Sequence, residues 1–469
     1  FLNGGSWNYG GITEPVELLV MPALWVEDLH VQPDWQSGRV RLHIALRNAT
    51  PDARHARLRA AISAASHPCD LAAGEERPIV VAPGQFRCTL EYAIPHHRLW
   101  DLNDPYLYQA EVYVQEEESP AFSTRATRFG FRDFRVVDGF FRLNGRRLFV
   151  RSTHTGNHSP IAQILAPAAA PDLLRRDLIY AKAAGFNMVR FIAGVAHPYQ
   201  LDLADELGLL VYEETLAAWL LEDSPQMADR FDRSLREMIL RDRNHPSVVI
   251  WGLLNETTDG PVFRHALETL PMVRELDNSR LVLLNSGRWD CQLAVGSVSN
   301  PGSLVWEHMW GGEAPDAAPA PYDWNLGYPG GYFRAVGDAH VYPRTPQTPE
   351  TRRFLRALGH DTRPVFLSEY GIGSVMNVLR ELRCYEQAGA DPELEDVALM
   401  RAMAERFLAD WRRFGMDDTY PFPEDMLRAS QRLHAHQRRL GFDLIRANPR
   451  LCGLNLTGML DHGMTGEGL

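Results

Sequence analysis

Residues 241–257 read Arg-Asp-Arg-Asn-His-Pro-Ser-Val-Val-Ile-Trp-Gly-Leu-Leu-Asn-Glu-Thr. Charged residues and a Pro-Ser turn close a helix. The apolar run Val248-Val249-Ile250-Trp251 follows, and Asn255-Glu256 stands where the run stops. A strand apolar on both faces belongs to a parallel sheet covered by helices, and a carboxylate at its C-terminal end is where a β/α barrel places its chemistry. A second such unit comes later in the chain, where Pro364-Val365-Phe366-Leu367-Ser368 leads into Glu369-Tyr370-Gly371. Two strand-end glutamates meet the needs of glycosidic bond cleavage, one as proton donor and one as partner carboxylate.

Outward from this unit, strands alternate with amphipathic helices, the pattern of a parallel barrel. Helix 172–184 ends at Gly185 and leads into Phe186-Asn187-Met188-Val189-Arg190. Helix 199–207 leads to Leu209-Leu210-Val211-Tyr212, and a helix over 228–243 precedes the strand ending at Glu256. Further strands are expected at 281–284, 339–342, 365–367 and 453–456. With 147–151 as the first they make eight, which predicts a (β/α)8 TIM barrel over 129–469. Two insertions interrupt it: 286–335, rich in Gly, Pro and Trp and expected to wall the site, and 372–450, expected to be helical. Before the barrel, 14–128 shows short alternating strands such as Arg39–Leu46 and Leu107–Val114, the pattern of an immunoglobulin-like β-sandwich. Asn144-Gly145, between Phe140–Leu143 and Arg147–Val150, predicts a hairpin at the junction. The expected fold class is multidomain β and α/β, a sandwich followed by a barrel.

At 469 residues the chain has room for two or three domains. The formal charge of −12 argues against nucleic acid and anionic membrane as partners, since both need basic surface. No apolar run approaches the ~18–20 residues of a membrane span. Lys182 is the only lysine, which removes that residue type from catalysis and anion binding. Cys69, Cys88, Cys291, Cys384 and Cys452 are scattered and in no metal-ligand spacing. They are expected as buried thiols, with a Cys69–Cys88 pair as the alternative. The chain opens on Phe1-Leu2-Asn3-Gly4-Gly5-Ser6-Trp7, and residues 1–13 read as the remnant of a preceding domain. Carbohydrate is the expected partner; compartment and oligomeric state, a homo-oligomer included, stay open.

In this scheme Glu256 and Glu369 close the fourth and seventh strands and face one another across the barrel mouth. A separation of roughly 5–5.5 Å would make the mechanism retaining: one glutamate attacks the anomeric carbon, the other donates a proton and then activates water. Either glutamate alone reads equally well as a solvated rim carboxylate. Both together, each after an apolar strand, favour the catalytic pair.

The string Arg-Asp-x-Asn-His-Pro-Ser-Val-Val-x-Trp-x-x-x-Asn-Glu at 241–256 resembles the signature of glycoside hydrolase family 2, which includes β-galactosidases, β-glucuronidases and β-mannosidases. Gly10-Gly11-Ile12 with Pro15–Leu18 resembles the join between that family's jelly-roll and sandwich domains. Leu99-Trp100-Asp101-Leu102-Asn103-Asp104-Pro105-Tyr106 resembles its sandwich motif, and Gly130-Phe131-Arg132 with Leu143-Asn144-Gly145 the entry to its barrel. Gly185–Arg190 and Asp205–Leu209 are similar to its second and third βα units.

The resemblance implies Glu256 as acid/base, Glu369 as nucleophile and Asn255 as a ligand of the sugar 2-hydroxyl. It places Arg190 at the pocket base and Tyr342 on the nucleophile, with His340 on the same strand face. His154 and Glu214 are candidate hydroxyl ligands, Trp306 and Trp310 candidate stacking faces, and Asp461 a candidate substrate ligand on the eighth strand. The chain departs from the better-known members at Arg190–Pro198, which carries extra residues before His197. It departs again at Gly453–Asp461, where Thr and Asp replace a tryptophan pattern as in a less-studied branch. The Asn-x-Lys element of the glucuronidases is missing. The expected activity is a retaining exo-β-glycosidase on a neutral, β-galactosidase-like sugar. Other specificities, endo action and an inactive carbohydrate-binding homologue remain alternatives. No cofactor is required. Some relatives hold Mg²⁺ or Na⁺ beside the site, but nothing in this sequence specifies such a site.

Overall fold

The computed structural model describes residues 16–459 except 118, 155–170, 220, 288–294, 308–337, 344 and 360–363, together with Gly466 and Gly468. The expected N-terminal remnant, Trp310 and Asp461 lie outside the described residues, as does most of the 286–335 insertion.

Seven strands form the sandwich: β1 (Leu24–Pro33), β2 (Arg39–Asn48), β3 (Arg54–Ala64), β4 (His67–Val81), β5 (Gly84–Ala93), β6 (Tyr108–Glu116) and β7 (Phe122–Phe129). They make two antiparallel sheets, β1-β2-β5 and β4-β3-β6-β7. Alternate residues such as Val40, Leu42 and Ile44 on β2 and Leu58, Ala60 and Ile62 on β3 point inward and form one core. This is period-two burial at work, one face in and one face out. Cys69, Cys88, Cys384 and Cys452 are free thiols. The expectation of burial fails at Cys69, on the exposed β4, and at Cys384, on an exposed helix face.

A three-stranded sheet, β8 (Phe134–Val137), β9 (Phe140–Leu143) and β10 (Arg146–Arg147), joins the domains. Asn144 and Gly145 turn the hairpin at φ 51° and 75°, as a two-residue turn between twisted strands requires. Because β10 takes Arg146 and Arg147, the first barrel strand begins later than the expected 147–151, at Val150. The eight parallel strands are β11 (Val150–His154), β12 (Met188–Phe191), β13 (Leu210–Glu214), β14 (Val248–Asn255), β15 (Leu281–Ser286), β17 (Asp338–Val341), β18 (Val365–Gly371) and β19 (Leu451–Thr457). A short β16 (Val298–Ser299) runs antiparallel beside β15. The ladder runs β15-β14-β13-β12-β11-β19-β18-β17. Among the described residues no backbone ladder joins β15 to β17. Instead Gly287 N donates to Asp338 Oδ2 at 3.1 Å, and Ser286 Oγ meets His340 Nε2 at 3.1 Å across that seam.

Val150, Met188, Leu210, Ile250, Leu281, Phe366 and Cys452 pack the N-terminal end of the barrel, plugged by Phe134, Val136, Phe141 and Leu143 of the hairpin sheet. The fold therefore keeps polar side chains for the other end. Arg132 fixes the junction. Its buried guanidinium donates to the carbonyls of Pro246, Ser279 and Val248 at 2.8–3.0 Å, and burial pushes it down to about 9. Trp100 of the sandwich motif is fully buried and donates to Asp205 O at 2.9 Å. The 372–450 segment holds helices Val378–Gln387, Glu395–Arg413 and Pro423–Arg446.

Candidate active site

At the C-terminal end of the barrel the strands deliver one connected set of side chains. Arg190 on β12 is fully buried and spends its guanidinium on four partners. Nε and Nη2 reach Glu214 Oε1 at 2.8 and 2.6 Å, and Nη2 donates to Asn255 Oδ1 at 2.8 Å. Nη1 donates to Ser368 O at 2.8 Å and to Glu369 Oε1 at 3.3 Å. Burial pulls Arg190 down, but the charges of Glu214 and Glu369 outweigh it, so its protonated form is held more firmly than in water.

Glu369 faces inward because β18 loses its regular register between Leu367 and Tyr370. Leu367 and Tyr370 pack in the outer core, while Ser368 and Glu369 both reach partners inside the barrel. A bulge that re-aims a side chain has this effect. Tyr342 donates its hydroxyl to Glu369 Oε2. Burial pushes Glu369 up to about 7. Glu256 adds to the rise, and His340, Arg190 and the Tyr342 hydroxyl oppose it.

Glu256 follows β14 in the left-handed region, at φ 49°, a conformation that costs energy in a residue with a Cβ. Its amide donates to Ser286 O at 2.8 Å, which holds the turn. Burial raises its carboxyl above the usual range, with Arg190 and a hydrogen bond from Trp219 acting against the rise. His340 Nδ1 sits 2.6 Å from Glu256 Oε1 and 3.3 Å from Glu369 Oε2. Single ligand atoms of Glu256, His340 and Glu369 all lie within 4.8 Å of one another. Asn255 keeps its Nδ2 donor buried and without a hydrogen-bond partner among the described residues. The glutamate-histidine set does not suit a resident divalent ion, because the buried Arg190 cation touches Glu369 and already supplies the positive charge.

Of the residues expected from sequence, Glu256, Glu369, Asn255, Arg190, His340, Tyr342 and Glu214 thus converge. Glu214 is also bonded within the protein. One of its oxygens is taken by Arg190 and the other by the Ala193 amide at 2.9 Å. His154 is buried at the mouth end of β11, in register with Arg190. Trp306 is partly buried. Its indole donates to Leu267 O at 3.2 Å and packs against the layer between strands and helices, as an ordinary core tryptophan does.

Sequence reasoning missed Asp338, Ser286, Ser368 and Trp219. Asp338 was open to inference, since residues 338, 340 and 342 share one strand face at period two. Trp219 lies on a loop at φ 64° and bonds through its backbone to Asn255 O, and no local pattern marks it.

Comparison with known proteins matches residues 134–391, more than half of the chain, to the model "Glycosyl hydrolases family 2, TIM barrel domain". Residues 25–132 match the model "Glycosyl hydrolases family 2". A β-galactosidase of Vibrio cholerae is 28% identical over 298 residues, covering 60% of this chain and 28% of that protein. A β-galactosidase of Aeromonas hydrophila is 29% identical over 281 residues, covering 54% of this chain and 26% of that protein. The matched region is thus under a third of the length of these relatives. Among solved structures, a Bacteroides uniformis β-glucuronidase aligns at TM-score 0.66 and 18% identity, over 96% of this chain and 49% of that one. A β-galacturonidase of Eisenbergiella tayi aligns at 0.62 and 18%, over 93% and 65%. At that identity the likeness is one of fold.

Proposed function

Since the chain belongs to glycoside hydrolase family 2, we propose that it is a retaining exo-β-glycosidase with Glu369 as nucleophile and Glu256 as acid/base. The observation that carries this reading is the pairing of two carboxylates within 4.8 Å, of which only Glu369 also holds Arg190 and Tyr342. So close a pair leaves no room for the water that inverting enzymes place between theirs.

A cation and a hydroxyl on Glu369 favour its ionised form. Glu256 has neither Arg190 nor a tyrosine bonded to it, and burial favours its neutral form. Once Glu256 carries the proton, its repulsion of Glu369 vanishes and Glu369 ionises more readily. The two roles are thus divided by environment. Glu369 Oε attacks the anomeric carbon while Glu256 protonates the leaving oxygen; Glu256 then takes a proton from water, which releases the sugar. The Asn255 Nδ2, without a hydrogen-bond partner among the described residues, supports a donation to the 2-hydroxyl, a contact that tightens as positive charge develops on the ring.

The substrate is a neutral, β-galactoside-like sugar. Lys182 lies at the far end of the barrel, donating to Leu102 O and Gly208 O at 2.6 and 2.8 Å. Arg190 is saturated by its four partners and has no donor left for a uronate. The β-galactosidases at 28–29% identity support the same choice.

The test is hydrolysis of nitrophenyl β-glycosides, namely galactoside, glucoside, mannoside, xyloside, glucuronide and galacturonide, by wild type, Glu369→Gln and Glu256→Ala. Turnover of the galactoside, lost in Glu369→Gln, is expected. In Glu256→Ala azide should restore turnover and yield a β-glycosyl azide. An α-azide from Glu256→Ala would reverse the two roles. Turnover of the uronides alone would overturn the substrate.

A further inference from the structure

The helical segment 372–450 takes no part in the reaction described above, yet its last helix packs directly behind the nucleophile. Helix Pro423–Arg446 turns one stripe inward, on which Gln437, Gly441, Leu444 and Ile445 are buried. Leu444 and Ile445 join the outer core of Val365, Leu367 and Tyr370 on β18. Gly441 lies against Tyr370, the residue that follows Glu369. A Cβ on Gly441 would stand 1.7 Å from the Tyr370 hydroxyl oxygen and 2.8 Å from its Cζ, so any side chain there must displace the ring. Glycine inside a helix weakens it relative to alanine; here it lets the ring approach the helix backbone.

Gln347, on the connection that follows Tyr342, ties the helix to both strands. Its Nε2 donates to the Tyr370 hydroxyl at 3.2 Å and to Gln437 O at 3.1 Å, and its backbone N donates to Gln437 Oε1 at 2.6 Å. Gln347 and Gln437 are each at most 4% exposed, so water does not compete for these bonds. On the barrel side, the Tyr342 ring rests on the β18 backbone at Gly371, where a Cβ would stand 2.5 Å from its Cε1. From there its hydroxyl donates to Glu369 Oε2.

We propose that helix Pro423–Arg446 is a clamp that sets the nucleophile, with Gly441, Gln437 and Gln347 as positioning residues. This rests on the glycosidase reading above. β18 loses its regular register between Leu367 and Tyr370, so the ladder alone does not aim Glu369. Tyr370 is where the register resumes, and its side chain is held from outside the barrel by Gln347 and by the helix surface at Gly441. The same Gln347 anchors the chain that carries Tyr342. One helix thereby fixes both partners of the Tyr342–Glu369 hydrogen bond.

The experiment compares wild type, Gly441→Ala, Gln437→Ala, Tyr370→Phe and the Gly441→Ala/Tyr370→Phe double variant. The methyl of Gly441→Ala pushes the Tyr370 ring, and Glu369 with it, out of line with Tyr342. The expected result is a kcat lowered roughly 10–100-fold with KM little changed, the scale of a misplacement of about 1 Å. The acid limb of kcat/KM should move to higher pH, because Glu369 loses a hydrogen bond that favours its ionised form. Besides Tyr342, the groups facing Glu369 are Arg190 from β12, Glu256 after β14, and Asp338 and His340 from β17, and none of them is substituted. Gln437→Ala brings no clash and should move the limb the same way by less. Tyr370→Phe removes the oxygen that the methyl meets. Alone it should lower kcat by losing the Gln347 bond; in the Gly441→Ala background it should raise kcat, a reversal that requires direct coupling. Lower stability with an unmoved limb in both Gly441→Ala and Gln437→Ala would overturn the clamp. So would a double variant slower than Gly441→Ala.

A second measurement needs no activity. Glu369 is raised on folding to about 7, so the stability carried by its proton is lost as pH rises through that value. The Tm of Glu369→Gln minus that of wild type should therefore climb with pH and level off near 7. In the Gly441→Ala background the same difference should level off at higher pH. A plateau at one pH in both backgrounds would overturn the clamp. If wild type cleaves no glycoside but the plateau moves, the glycosidase reading fails and the clamp on Glu369 stands.

Discussion

Glu214 holds Arg190 through two guanidinium nitrogens at 2.6 and 2.8 Å, and neither side chain reaches solvent. Breaking such a buried pair strands a charge and costs about 3–5 kcal/mol. Glu214→Ala is therefore expected to lower stability by that order and to leave Glu369 as the remaining carboxylate of Arg190. Denaturant unfolding measures the first effect. The second should appear as an acid limb of kcat/KM moved to lower pH, because a less shared Arg190 favours ionised Glu369. A variant as stable as wild type would show that the pair is not what anchors the guanidinium.

The Tyr342 hydroxyl is one of the groups that hold Glu369 down. Hydrogen bonds to charged acceptors contribute about 1.5–3 kcal/mol, so Tyr342→Phe should lower kcat/KM roughly 10–100-fold. Without that donor Glu369 binds its proton more tightly, and the acid limb moves to higher pH. An unmoved limb would count against this account of how Glu369 is kept ionised.

Glu369 rises from 4.5 to about 7 on burial. A folded pKa above the unfolded one means stability present below the lower value and lost as pH rises through the upper. Glu369→Gln removes the group that suffers this loss. Its Tm should exceed that of wild type at pH 8 by more than at pH 5, measured by thermal melting at both. An equal gain at both values would mean that Glu369 is not titrating in that window.

Arg132 ties the sandwich end of the chain to three carbonyls at the base of the barrel. Arg132→Ala leaves those acceptors buried without donors, each such loss costing about 1–3 kcal/mol. The sandwich and the barrel are expected to melt further apart in temperature than in wild type. Calorimetry showing one unchanged transition would disprove the coupling.

Local pattern carried much of this molecule. Val248–Asn255 is apolar on both faces because helices cover it outside and the barrel fills it inside, and that double burial can be read along the chain without knowing what covers it. The same holds for Asn144-Gly145, whose left-handed turn is a property of two residues. Glu256 and Glu369 stood out as a pair because each follows an apolar strand; either alone read equally well as a solvated rim carboxylate.

Relations between distant residues were decided only by the closed barrel. Glu214 looked like a free ligand until the barrel set it against Arg190, 24 positions earlier. Trp306 read equally well as a core residue and as a stacking face, and its packing against the strand–helix layer came only with the fold. Trp219 gained meaning from Glu256, and Asp338 from Gly287 and Ser368, to which no sequence spacing connects them. Strand period and apolar runs are short-range consequences of backbone geometry, so the sequence by itself determined which elements form and which carboxylates stand at their ends. Which partner each buried charge finds depends on closing eight strands into one ring, and only the tertiary structure decided that.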